Sequence, residues 1–168
     1  MTGPRVVFVG PMGAGKTRLG KRVAASLGVP FVDTDRVIVT QHGPIAEIFD
    51  THGEERFRAL EREAVSEALQ TAGVISLGGG AVLDAGTRAD LAPLPVVWLT
   101  ITPEAVAARL VGSGRPLVRD GGLEAWQRIA ESRRPLYAEV ADVEFDTSRR
   151  PIDHIARDIV AWLETEDR

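Results

Sequence analysis

The segment Gly10-Pro11-Met12-Gly13-Ala14-Gly15-Lys16-Thr17 has the composition needed to grip a polyphosphate. It fits G-x-x-x-x-G-K-[ST], follows the apolar run Val6-Val7-Phe8-Val9, and leads into a helical pattern. Glycines let successive backbone N–H groups turn around an anion, and the next helix adds the positive end of its dipole. Lys16 would reach the β- and γ-phosphates, and the Thr17 hydroxyl would ligate Mg²⁺. Only two of the 20 Lys and Arg side chains are lysines, Lys16 and Lys21. A compact ammonium, and not a guanidinium fork, therefore stands at the loop.

Further groups suited to phosphoryl transfer follow in order. Asp33 and Asp35 lie two residues apart at the end of a strand-like run, so they point to the same side of an extended chain. One could join Thr17 at the metal, and the other could take the proton of an attacking hydroxyl. The Asp-Thr-Asp cluster would equally well cap a helix. Gly78-Gly79-Gly80 ends another apolar run and would let a ligand approach the backbone. Arg58 and Arg133 offer the bidentate geometry a carboxylate favours. Spacing alone leaves both arginines open to a plainer role, Arg58 as an exposed pair with Glu54 or Glu61 and Arg133 as a solvated helix charge.

These groups need a scaffold, and the apolar pattern supplies one. Short runs without alternation at Arg5–Val9, Pro30–Val32, Val74–Leu77, Val96–Ile101 and Val143–Phe145 predict strands buried on both faces of a parallel sheet. Helices are expected over Lys16–Leu27, Glu54–Leu69, Pro103–Leu110, Leu123–Val140 and Ile152–Leu163, with Pro103 and Pro151 near helix starts. Alternating β and α elements imply a doubly wound α/β fold with ligands at the carboxyl ends of the strands. The segment 112–122, glycines flanking Arg115 and Arg119, has the makings of a flap that closes on phosphate.

Composition narrows the classes. The chain has 168 residues, 44% hydrophobic and 26% charged, as expected of one ordinary globular domain. It contains no cysteine, which excludes disulfides and thiolate metal sites. A net charge of −4 argues against a nucleic-acid partner. No apolar run of membrane-spanning length and no signal-peptide pattern is present, so a cytoplasmic protein without membrane partners is expected.

Taken together the motifs resemble the shikimate kinase family. The resemblance runs through Gly10–Thr17, Asp33-Thr34-Asp35, Ile48-Phe49, Gly53-Glu54 with Phe57-Arg58, Leu77–Val82, Arg115-Pro116-Leu117, Arg133-Arg134-Pro135-Leu136-Tyr137 and Asp146–Pro151. It implies a P-loop NTPase fold like that of nucleoside monophosphate kinases, with a five-stranded parallel sheet and a mobile lid. It implies one kinase domain over 1–168, an acceptor-binding helical region at about 34–62 and a lid at about 112–123. The implied reaction is ATP- and Mg²⁺-dependent phosphorylation of the shikimate 3-hydroxyl, in chorismate and aromatic amino-acid biosynthesis, by a monomer. Matched by position, Lys16, Asp35 and Arg115 would be catalytic. Gly13, Ala14, Gly15, Lys16, Thr17, Arg18, Arg109, Arg115 and Arg150 would bind ATP, with Arg109 and Arg150 (or Arg149 in its place) near the adenine. Asp35, Arg58, Gly78, Gly79, Gly80 and Arg133 would bind shikimate, and Thr17 and Asp33 the metal. One position departs from the family: Arg18 replaces a second hydroxyl residue, leaving its backbone N–H for the α-phosphate.

Three other readings compete. A gluconate kinase shares the loop and a small hydroxy-acid acceptor, but resembles the chain less at Asp33–Asp35 and Gly78–Gly80. A GTP switch needs an Asn/Thr-Lys-x-Asp element, and no lysine follows Lys21. A nucleotide-binding module without catalysis would make Asp35, Arg58, Arg115 and Arg133 coincidental.

Overall fold

In this computed structural model, which describes residues 3–110 and 121–167, the first apolar run becomes the central strand β1 (Val6–Val9), each residue at most 1% exposed. The other strands are β2 (Phe31–Asp33), β3 (Val74–Ser76), β4 (Val96–Thr100) and β5 (Val143–Asp146). They form one sheet in the order β2-β3-β1-β4-β5, with every pairing parallel. Val7 stands opposite Ile75 on one side and Val96 on the other.

Alternation along β1 divides the core in two. Val7 and Val9 pack with Val65, Tyr137 and Val140, whereas Val6 and Phe8 pack with Leu19, Val23, Ile155 and Ile159. The helices involved are α1 (Lys16–Leu27) and α7 (Ile152–Glu166) on one face, and α3 (Ile45–Ala68) and α6 (Gly122–Val140) on the other. Phe8 is fully buried, which is worth about 1.5–3 kcal/mol. A third cluster, Ile38, Ile48, Phe57, Leu60 and Ala64, joins α3 to α2 (Thr34–His42). The remaining helices are α4 (Ala85–Leu91) and α5 (Pro103–Leu110), with a 3-10 turn at Ala81–Leu83.

The edges of the sheet differ from the expected uniform burial. β5 alternates, with Val143 and Phe145 half-buried and Glu144 and Asp146 exposed, and β2 is half-buried throughout. Each has only one neighbouring strand, so one face and one edge meet less protein. The helix expected from Glu54 is the second half of α3, which begins at Ile45 and breaks at Gly53 (φ 84°, ψ 170°). Helices α2 and α4 lie in stretches assigned no element from the pattern. Among the described residues no helix is long and apolar enough to cross a membrane.

Candidate active site

A cleft of about 1110 Å³ opens at the carboxyl ends of the strands. Gly13, Gly15, Lys16, Thr17, Arg18 and Arg109 line one end; Asp35, Arg58, Gly79, Gly80 and Arg133 line the other. Gly13 and Gly15 adopt φ of +85° and +97°, a backbone that favours glycine, and they turn β1 into α1. Gly15 stands at the N-cap of α1 without a side-chain cap, leaving the helix's first N–H groups for an anion. Lys16 Nζ donates to the carbonyls of Gly10 (2.7 Å) and Pro11 (3.0 Å). Burial lowers its ammonium pKa to about 8, although Asp35 and Asp33 pull the other way. A phosphate arriving here would raise it again.

Of the roles expected for the Asp-Thr-Asp cluster, the helix cap is seen directly. Asp33 caps α2, its Oδ1 accepting from the N–H groups of Asp35 (3.0 Å) and Arg36 (3.4 Å). Its Oδ2 accepts from Thr17 Oγ1 at 2.8 Å, so hydroxyl and carboxylate already converge. Asp35 sits beyond this pair. Burial raises its carboxyl pKa, the Asp33 charge adds to the rise, and Lys16 and Arg58 oppose it. Buried Thr34 fixes the segment by donating to Ser76 O (3.4 Å) and accepting from Gly78 N (3.3 Å).

At the opposite end of the cleft, Arg58 Nη1 donates to Glu61 Oε1 at 2.8 Å, and its Nε lies 3.5 Å from Glu54 Oε1. The expected i,i+3 and i,i+4 pairs both exist; the pair with Glu54 is exposed, but the pair with Glu61 is not a solvated surface feature, because Glu61 is 4% exposed. Burial raises the Glu61 carboxyl pKa against the pull of Arg58. The guanidinium also lies 5.2 Å from the centre of the Phe57 ring, which packs on Phe49 at 4.8 Å. A side chain at Gly80 would collide with Arg58. Tyr137 donates to Gly79 O at 2.6 Å, and burial pushes its hydroxyl pKa up to about 12, keeping it a donor.

The placements differ among the expected residues. Gly78 is buried and does not line the cleft; a Cβ there would sit 2.5 Å from Asp35 Oδ1 and 3.0 Å from Glu61 Oε2. Its contribution is room for those carboxylates. Ala14 is also fully buried, with its N–H on Pro11 O (3.2 Å). Arg109 donates to Gly13 O (3.2 Å) and to the Thr147 carbonyl, and burial lowers its pKa with help from Arg18. Arg150 lines the cleft while paired with Asp158. Arg115 and most of the expected lid lie outside the described residues. Glu61, Trp126, Tyr137 and the apolar wall of Ile45, Phe49 and Phe57 also line the cleft. None was singled out as a site residue from spacing. The only signal was indirect, in Phe57-Arg58 and Arg133–Tyr137.

A parallel sheet in this order, a lysine-bearing phosphate loop and an acceptor corner with a buried carboxylate define a P-loop kinase. Comparison with known proteins narrows the class. The shikimate kinase family model matches residues 12–164. A shikimate kinase of Streptomyces avermitilis is 45% identical, over 99% of both chains. The structure of the Acinetobacter baumannii shikimate kinase in complex with shikimate is 32% identical with a TM-score of 0.89, covering 99% of this chain and 95% of that one. A gluconokinase from Sinorhizobium meliloti shares the fold at a TM-score of 0.68, with 22% identity over 98% of this chain and 93% of that one. The chain belongs to the shikimate kinase family. It is a kinase that transfers phosphate to a hydroxyl group.

Proposed function

We propose that this chain transfers the γ-phosphoryl group of ATP to the 3-hydroxyl of shikimate, giving shikimate 3-phosphate and ADP in the route to chorismate and the aromatic amino acids. One observation carries the reading. The phosphate loop with Lys16 and a corner holding Asp35, Arg58 and Arg133 share one cleft. The two arginines suit the carboxylate of the acid, and the apolar wall of Ile45, Phe49 and Phe57 suits its ring. The 45% identity to a shikimate kinase over nearly the whole chain adds weight. The gluconokinase neighbour, at 22% identity, supports the fold alone.

In this reading Asp35 accepts a hydrogen bond from the reacting hydroxyl and takes its proton as the oxygen–phosphorus bond forms. The bond between the γ-phosphorus and the bridging oxygen breaks, and ADP leaves. Burial suits Asp35 to the task, since a raised pKa makes a carboxylate a better proton acceptor. Lys16 offsets charge on the transferring group and on ADP. Thr17 and Asp33 fit Mg²⁺ by the hardness of their oxygens, and among the described residues no cluster of three or more His, Cys, Asp or Glu ligands competes. Held by Thr17 and Asp33, Mg²⁺ would supply positive charge that offsets the charge of the phosphates. Arg115, in a lid at about 112–123, would reach the phosphates on closure. The acceptor region at about 34–62 and the remaining elements act as one kinase domain, working as a monomer in the cytoplasm.

Coupled ADP release, measured with Mg-ATP and either shikimate or gluconate, tests the reading. Shikimate-dependent turnover with little above background on gluconate is expected. Faster turnover on gluconate, or none on either acid, would overturn it.

A further inference from the structure

Three consecutive carbonyls of the phosphate loop are each held by a side chain from a different, distant element. Trp126 Nε1, on α6, donates to Met12 O at 2.7 Å. Arg109 Nη1, on α5, donates to Gly13 O at 3.2 Å. Thr147 Oγ1, just past β5, donates to Ala14 O at 2.7 Å. Trp126 is 5% exposed and Thr147 1%, so water does not substitute readily for either donor. The Thr147 hydroxyl has a single proton to give. Thr100 O, 3.1 Å away, already accepts from the Thr147 N–H at 2.8 Å, which leaves the shorter contact to Ala14 for the hydroxyl.

Holding a carbonyl also aims an amide. In a trans peptide the C=O and the following N–H point in opposite directions, and no cis bond occurs among the described residues. Drawing Met12 O toward α6 turns the Gly13 N–H away from α6. Drawing Ala14 O toward the end of β5 likewise turns the Gly15 N–H away. The Ala14 N–H between them is already used on Pro11 O. Gly13 and Gly15 make the loop possible, but glycine also lets a peptide plane flip at little cost. Side chains that hold the carbonyls remove that freedom.

We infer that Trp126 and Thr147 are positioning residues of the nucleotide site, holding two peptide planes so that the Gly13 and Gly15 N–H groups face the polyphosphate before it arrives. This rests on the ATP reading above. Arg109 completes the set of three, but its positive charge would act on a polyphosphate directly, so the two uncharged donors isolate the effect.

The test compares ADP, AMP and shikimate binding by calorimetry in wild type, Trp126→Phe, Thr147→Val and Thr147→Ser. Trp126→Phe keeps an aromatic ring while removing the donor together with part of the indole, a loss of packing that would act on ADP and AMP alike. Loss of one such hydrogen bond is expected to weaken ADP about fivefold in Trp126→Phe and in Thr147→Val. AMP, which lacks the β-phosphate, should change by less than about twofold, shikimate alone should not change, and Thr147→Ser should bind ADP like wild type. Equal weakening of ADP and AMP would overturn the inference. So would unchanged ADP affinity beside a lowered melting temperature, the mark of a purely structural contact. Should Thr147→Val fail to fold, Trp126→Phe decides alone. Wild-type ADP binding tests the nucleotide reading, and the variant-to-wild-type ratio tests the positioning role.

Discussion

Removing the Arg58 guanidinium should cause two losses that can be measured apart. Arg58 Nη1 holds Glu61 Oε1 at 2.8 Å; the Glu61 side chain is 5% exposed and that of Arg58 25%. Breaking a fully buried pair costs about 3–5 kcal/mol, because a charge is left unpaired. Here water can enter beside Arg58 and Glu61 can take up a proton, so about 2 kcal/mol of stability is expected to go in Arg58→Ala. Burial already holds the Glu61 pKa above its ordinary 4.5, and Arg58 opposes the rise. Without Arg58 the folded-state value climbs further, so the folded protein keeps a proton that the unfolded chain releases. The Glu61 contribution to the variant's stability is then fully present below pH 4.5 and is lost as pH rises through the folded value. The second loss is the acceptor carboxylate's partner, about 2–5 kcal/mol or at least 30-fold in shikimate Kd. Urea unfolding at about pH 5 and pH 8, with calorimetric titration of shikimate, separates the two. In Arg58→Ala/Glu61→Gln, most of the stability should return and the pH dependence flatten, while shikimate affinity stays low. If the single variant unfolds like wild type at both pH values, the pairing argument is refuted. If all three proteins bind shikimate equally, the carboxylate clamp is refuted.

Nucleotide binding should take up protons at about pH 8.5, because Lys16 is depressed to about 8 in the free protein and phosphate raises it. Calorimetry in two buffers of different ionisation enthalpy reads this, and equal heats would contradict it; affinity should decline above pH 8. Asp35→Asn keeps the side chain's size and removes the proton acceptor, so kcat should fall by about 10²-fold or more with shikimate Kd little changed. A loss confined to KM would move Asp35 from the reacting hydroxyl to binding alone. Arg18, exposed at the nucleotide end, should attract ATP at long range. Arg18→Ser is therefore expected to weaken ATP about twofold to fivefold at low ionic strength and to flatten the salt dependence; an unchanged salt slope would rule this out.

What could be read in the sequence depended on how local its cause was. The loop Gly10–Thr17 encodes its own geometry within eight residues, and β1 is apolar because protein covers both its faces. Asp33 and Asp35 stood out as a pair, but not for the extended-chain reason: the strand ends at Asp33 and Asp35 lies in the first turn of α2, so the turn into the helix, and not strand alternation, brings both carboxylates near the loop. Spacing could not show whether Asp33 would cap a helix or meet Thr17, and the structure has it do both through different oxygens. Glu61 was visible only as one end of an ordinary i,i+3 pair. Its buried place depends on a distant residue: the missing Cβ of Gly78, seventeen positions later, leaves room for its carboxylate. Trp126 and Thr147 meet their carbonyls across separations of 114 and 133 residues, and no local pattern encodes such contacts. The edge strands escaped for a related reason, since whether a strand has one neighbour or two is a property of sheet order.

The break at Gly53 has a mechanical side. Ile45 and Phe49 stand before it and Phe57 and Arg58 after it, so the acceptor wall is carried by two rods joined at one residue. A Cβ placed at Gly53 would meet nothing within 4 Å, yet the φ of 84° resists any side chain. Gly53 itself adds no packing to that joint, whereas Phe49 and Phe57, one on each rod, pack across it at 4.8 Å and brace it. A substitution at Gly53 would therefore act on the joint through backbone torsion alone and leave that aromatic brace in place, which separates the hinge of the wall from the surface it presents.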